Sequence, residues 1–205
     1  MILSFFKQAC ANYSRYGLTT LMTQANNQDM FLIPDPSALL TTLSDQTYIG
    51  AYVPHNLVLM SDIHRLKYAM YLNNDAYEAL KKMIDAMPDE IANDFYVKEA
   101  YTSFTDLQYS NPNLAGKDER QLGNTVSIAS KSIAYHEFET SALSQWLEGH
   151  SYEYGFTLRY PKRMASSTNH VYDAHYYRYV GKKNANKIYK ENSCIEEYNQ
   201  KETAE

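Results

Sequence analysis

Apolar residues fall into helical spacing in two stretches of the chain, with short β-prone runs around them. Asn73-Asn74-Asp75 is a good helix start signal. Ala76, Tyr77, Leu80, Met83, Ile84 and Met87 follow it at the spacing of one helical face. The run from Asp94 to Tyr101 is rich in β-formers, and a loop of turn residues from Ser110 to Asp118 comes after it. Thr125 to Ala129 reads as a short strand. A second amphipathic helix carries Phe138, Leu143, Trp146 and Leu147 on one side, with Trp146 expected in the core, and ends near Gly149. Gly155 turns the chain into a strand from Phe156 to Tyr160, Val171–Val180 contains another, and Lys182 to Tyr189 reads as a helix. Residues 1–45 show no strong period and are punctuated by turn residues at 26–29 and 34–37. They read as an N-terminal extension with one or two short helices, preceding a domain over 46–205. Helices and strands in mixed order, with no repeating βα unit, predict an α+β fold with a small central antiparallel sheet flanked by helices.

Composition narrows the function classes. The 205 residues are 44% hydrophobic, enough for one domain with a substantial core. No apolar run is long enough to span a bilayer, and the first seven residues are a poor match to a signal peptide. The net charge of −5 and the absence of a Lys/Arg cluster argue against nucleic acid. Cys10 and Cys194 offer neither a disulfide framework nor a metal knuckle. The twenty tyrosines suit peptide or sugar contacts, and equally a tyrosine-rich core.

Three segments carry a likeness to a known family, in the family's order. They are Tyr52-Val-Pro-His-Asn-Leu-Val58, the long run from Trp146 to Pro161, and Arg178-Tyr-Val-Gly181 followed by Ile195-Glu-Glu-Tyr198. Together they resemble the VanY-like D-alanyl-D-alanine carboxypeptidases, bacterial cell-wall zinc peptidases of the LAS type, over about residues 46–198. That resemblance implies the family's α+β fold and a site with three protein zinc ligands, an open position for water and a carboxylate base. It also implies an extracytoplasmic location, although no export signal is evident in the sequence.

The resemblance also says which positions would carry that chemistry, and they are changed here. The segment Asp118 to Ser127, anchored by Gln121-Leu122-Gly123, aligns with the first metal motif and puts Arg120 and Ser127 in ligand places. Tyr172 and Arg178 frame the second motif, putting Asp173 at the base, His175 beside it and Tyr176 at the last ligand place. Glu99-Ala-Tyr-Thr-Ser103 places Thr102 where the family has an arginine. A guanidinium has no lone pair to give, serine is a poor neutral ligand, and a phenol ionises only near pH 10. These substitutions imply that the chain takes no cofactor and is catalytically inactive. Arg120 and Asp173 can pair across the metal place, and the guanidinium is expected within hydrogen-bond distance of Asp173, Tyr176 or Ser127.

Three readings of function stand side by side. In the first, the groove binds a peptidoglycan stem peptide, with Tyr172, Tyr176 and Tyr177 lining it and Arg120 holding a terminal carboxylate. The second is an active carboxypeptidase with a shifted metal site, for which His170, Asp173 and His175 are the nearest cluster. The third is a regulatory partner that assembles with an active homologue.

Overall fold

The computed structural model describes residues 31–33, 35–44 and 46–203. Two short strands, β1 (Phe31–Leu32) and β2 (Thr47–Tyr48), pair in parallel. They precede an antiparallel pair, β3 (Leu57–Leu59) with β4 (Tyr71–Asn73). Helix α1 (Asn74–Asp85) starts where the sequence signals it, because the Asn73 side chain accepts a bond from the Asp75 N–H. Its inward face buries Ala76, Tyr77, Leu80 and Met83. Helix α2 (Asp89–Asp94) leads into β5 (Phe95–Glu99), and α3 (Phe104–Ser110) follows.

The centre of the molecule is a four-stranded antiparallel sheet in the order β5, β6 (Thr125–Ser130), β8 (Asp173–Tyr179), β7 (Phe156–Tyr160). Helix α4 (Ala142–His150) lies between β6 and β7, and the short α5 (Ala165–Thr168) between β7 and β8. Helices α6 (Lys182–Lys190) and α7 (Ile195–Glu202) complete the described residues. The architecture is the α+β fold expected, with the three predicted strands in one sheet. No helix among the described residues is long and apolar enough to cross a membrane.

The two faces of the sheet differ in chemistry. One carries Val97, Val126, Ile128, Phe156 and Tyr177 into the main core with α1 and α4. The other carries Thr125, Ser127, Thr157, Tyr176 and Arg178, which are polar yet largely buried. Burying such a face requires partners for its charges, and this is the face that bears the candidate site.

One expectation needs correcting. Trp146 is only half-buried, stacked near His150 and Tyr154, while Leu143 and Leu147 form the sealed face of α4. In a helix this short the apolar arc has room for two inward positions, and the indole sits at its edge. Residues 31–33 and 35–44 form β1 and turns. Any helix in residues 1–30, and Cys10, lie outside the described residues. Backbone groups of Leu39, Leu40, Thr41 and Leu43 are hydrogen-bonded to Arg178, Asn199 and Glu119, which ties this stretch to the sheet's polar face.

Candidate functional site

Arg120 is held by a tight local structure. Asp118 caps a 3-10 turn, Glu119–Leu122, by accepting the Arg120 N–H at 2.9 Å. Gln121, fully buried, reaches the carbonyls of Gly50 and Tyr52 and accepts the Gly116 N–H. Gly123 ends the turn at φ +74°, where a Cβ would come within 2.8 Å of Pro54. Only glycine meets both demands without strain. The chain then enters β6 with Arg120 aimed over the sheet.

The Arg120 guanidinium is fully engaged. Nε and Nη2 donate to the two oxygens of Asp118 at 2.9 and 2.5 Å, and Nη1 donates to Glu99 at 2.6 Å. Tyr176 donates its hydroxyl to the same Glu99 oxygen at 2.7 Å. Strand register explains the meeting. Ser127 on β6 pairs with Glu99 on β5 and with Tyr176 on β8, so all three side chains share one face. Burial and the bond to Glu99 push the Tyr176 phenol well above its ordinary pKa, so it stays a neutral donor. Two carboxylates likewise hold the Arg120 guanidinium, against the effect of burial, above its ordinary value.

The pair between Arg120 and Asp173 is not formed. Asp173 instead accepts the His175 backbone N–H at 2.9 Å, in an irregular stretch where two residues of β7 oppose four of β8. That irregularity turns the Asp173 carboxylate into the same cavity as Tyr176. Asp118 and Glu99 take the place foreseen for Asp173. Asp118 was legible as a capping residue two positions before Arg120, whereas Glu99 reaches it only through the β5–β6 pairing.

The other sequence-derived residues divide. Ser127 is wholly buried in the sheet beneath this cluster. Thr102 lines a cavity beside Arg120, with its hydroxyl donated to the Ala100 carbonyl at 3.2 Å. His175 is sealed under Tyr135 and Phe138, with its ring nitrogens facing the carbonyls of Ile128 and Tyr135 at 2.7 and 3.0 Å. Tyr172 packs at the edge of the main core, with the Lys162 ammonium over its ring. Tyr177, expected in the groove, points into the core on the opposite face and is 1% exposed. The His170, Asp173 and His175 trio does not converge, because His170 stacks on Tyr160 while His175 is buried elsewhere.

Two cavities meet at Arg120. The first, about 310 Å3, is lined by Asp118, Arg120, Tyr160, His170, Asp173 and Tyr176 among others. The second, about 690 Å3, runs along Lys67, Lys98, Glu99, Tyr101, Thr102 and Tyr109. Beneath the first, Glu119 is buried between Arg159 at 2.7 Å and Arg178 at 3.0 Å. Burial alone would raise the Glu119 carboxyl, but the two guanidiniums hold it below its ordinary value.

Several known proteins are similar to this chain. The family model described as VanY, D-alanyl-D-alanine carboxypeptidase, matches residues 106–182, the stretch containing Asp118, Arg120, Ser127, Asp173 and Tyr176. A D-alanyl-D-alanine carboxypeptidase of Enterococcus faecalis (strain ATCC 700802 / V583) is 29% identical over 192 residues, 88% of this chain and 70% of the relative. The solved structure of the LdcB LD-carboxypeptidase, described as revealing the molecular basis of peptidoglycan recognition, is 26% identical. It superposes with a TM-score of 0.75 over 83% of this chain and 90% of its own. A variant of the D,D-pentapeptidase VanY from a VanB-type resistance cassette, solved in complex with Zn(II), is 25% identical. Its TM-score is 0.62, over 80% of this chain and 99% of its own.

This last structure corrects the expectation that no cofactor is involved, since a relative of the same fold binds Zn(II). Zinc is therefore the cofactor against which this chain has to be tested. The donor set at the positions read from sequence does not fit that ion. Arg120 offers no lone pair and carries like charge, Ser127 is a neutral hydroxyl, and the phenol of Tyr176 is held protonated. No step of chemistry is therefore drawn through a metal at these residues. The matched motif region, the strand order and the relatives' agreement over most of the chain lead to one conclusion: the chain is similar in sequence and fold to the VanY-like D-alanyl-D-alanine carboxypeptidases.

Proposed function

We propose that this chain binds the end of a peptidoglycan stem peptide in the groove that meets at Arg120, and holds it without cleaving it. The observation that carries this reading is the closed cluster of Arg120 with Asp118, Glu99 and Tyr176. A peptidase of this family needs a Lewis acid and an activated water at that place. Here a guanidinium tied to two carboxylates stands there, while the groove on either side stays open. Half-buried rings and polar side chains along it suit a short peptide, with apolar area supplied by the rings and direction by hydrogen bonds.

The test has two arms on the same purified chain. Calorimetric titration with a D-Ala-D-Ala-terminated stem pentapeptide should show saturable binding. D-alanine release from the same peptide, with Zn(II) supplied, should stay at the rate without protein. Zinc-dependent release abolished by a chelator would replace this reading with that of an active carboxypeptidase. Absence of binding would reject it outright.

A further inference from the structure

The sequence points to Arg120 as the group that would hold a peptide's terminal carboxylate, but the geometry points elsewhere. Three of its N–H donors are spent on Asp118 and Glu99, so two anions already surround one cation. A third carboxylate brought there would meet net negative charge. Thr102, in the place of the family's arginine, spends its hydroxyl on the Ala100 carbonyl.

Lys98 is differently placed. It is half-buried on β5, and its ammonium sits 3.2 Å from the centroid of the Tyr135 ring. The other face of that ring stacks on His175 at 3.6 Å, and the His175 ring is held between the carbonyls of Ile128 and Tyr135, to one of which it donates according to its tautomer. The platform under the ammonium is therefore rigid. Among the described residues no carboxylate pairs with Lys98, and it lines the second cavity together with Lys67 and Tyr101. A cation raised on an aromatic face, partly shielded from water and short of an anion, is suited to an incoming carboxylate.

We propose that Lys98 is the residue that captures the terminal carboxylate of the bound peptide, in the second cavity. The inference rests on the stem-peptide reading given above and adds an orientation to it. The carboxyl end lies along β5 at Lys98, and the rest of the peptide runs past Arg120 toward Asp173.

The probe is diacetyl-lysyl-D-Ala-D-Ala, whose single charge is its terminal carboxylate, compared with its C-terminal amide by calorimetry. The acid should bind about tenfold more tightly, the equivalent of one charge-assisted hydrogen bond. Lys98→Met should bring the acid down to the amide's affinity and leave the amide unchanged, which also shows that the variant is folded. Lys98→Arg should keep the preference, Lys98→Glu should invert it, and Lys67→Met should retain it. A preference that survives in Lys98→Met, or equal binding of acid and amide by the unaltered chain, overturns the role of Lys98 and leaves the stem-peptide reading standing. Failure of the unaltered chain to bind either probe or the stem pentapeptide rejects both.

Discussion

Tyr176 donates its hydroxyl to Glu99 at 2.7 Å across the width of β6, joining two strands that never touch each other. The same carboxylate oxygen receives Arg120, so Glu99 links the Tyr176 hydroxyl on the floor of the groove to the guanidinium. Tyr176→Phe should therefore cost about 1 kcal/mol in urea unfolding, the usual worth of one hydrogen bond. Arg120→Ala should cost more, about 2 kcal/mol, because Asp118 and Glu99 are left without their cation in a partly buried place. In a double-mutant cycle the two losses should fall short of adding, since both act through Glu99. Strict additivity would show that Glu99 does not couple them.

Glu119 sits fully inside the protein between Arg159 and Arg178, and its carboxylate also accepts the Leu43 N–H at 3.3 Å. Glu119→Gln leaves the buried Arg178 guanidinium without its carboxylate, while Arg159 keeps Glu196, and should destabilise by about 3 kcal/mol. It should also loosen residues 39–43, which Arg178 and Glu119 hold to the sheet, and this would be read as faster amide exchange there.

The same carboxyl makes stability depend on pH with a definite sign. Its folded-state pKa is depressed below the ordinary value, so the unfolded chain takes up the proton first as the solution is acidified. The stabilisation is complete above the ordinary carboxylate range, about pH 4–5, and is lost as the pH falls through the depressed value. Melting temperatures should be level near neutrality and drop steeply below about pH 4, with a shallower drop in Glu119→Gln.

Gly123→Ala tests the turn that aims Arg120. The position combines φ +74° with a Cβ approach of 2.8 Å to Pro54, so the substitution should cost about 1–3 kcal/mol. Gly149, where nothing lies within 4 Å of an added Cβ, is the control, and Gly149→Ala in α4 should be neutral or slightly stabilising.

Replacing together the three positions that the resemblance gives as ligand places, by Arg120→His, Ser127→Asp and Tyr176→His, should raise zinc affinity above that of the unaltered chain, measured by metal analysis after dialysis. Ser127 and Tyr176 are paired in register and Arg120 reaches the same carboxylate as Tyr176, so the new donors start on one face. No gain in zinc would mean that the backbone no longer brings these positions to ligand distance.

Much of this protein was legible along the chain, because the signals concerned are local. The Asn73 cap, the apolar face from Ala76 to Met83 and the β-prone runs of β6, β7 and β8 each depend on neighbours a few residues apart, and they predict α1 and three strands of the central sheet. The motif resemblance also singled out positions 120, 127 and 176 in the sequence, since Gln121-Leu122-Gly123 and Tyr172 with Arg178 set the alignment. What surrounds them was not legible along the chain. Whether Arg120 meets Asp173 or Glu99 depends on which strands pair and where β8 is irregular, and contacts separated by 21 and 77 residues leave no periodic trace. Tyr176 and Tyr177 look alike in sequence, yet one faces the groove and the other the core, because adjacent strand residues point to opposite sides of the sheet. Lys98 looked like one more polar residue on a strand, and only the stacking of Tyr135 on His175, brought together from separate segments, puts a platform under its charge. Local spacing determined the elements, and three motif segments carried the resemblance to the family. The register of β5, β6 and β8 decided the site, since charge pairing is settled by distance in space and not along the chain.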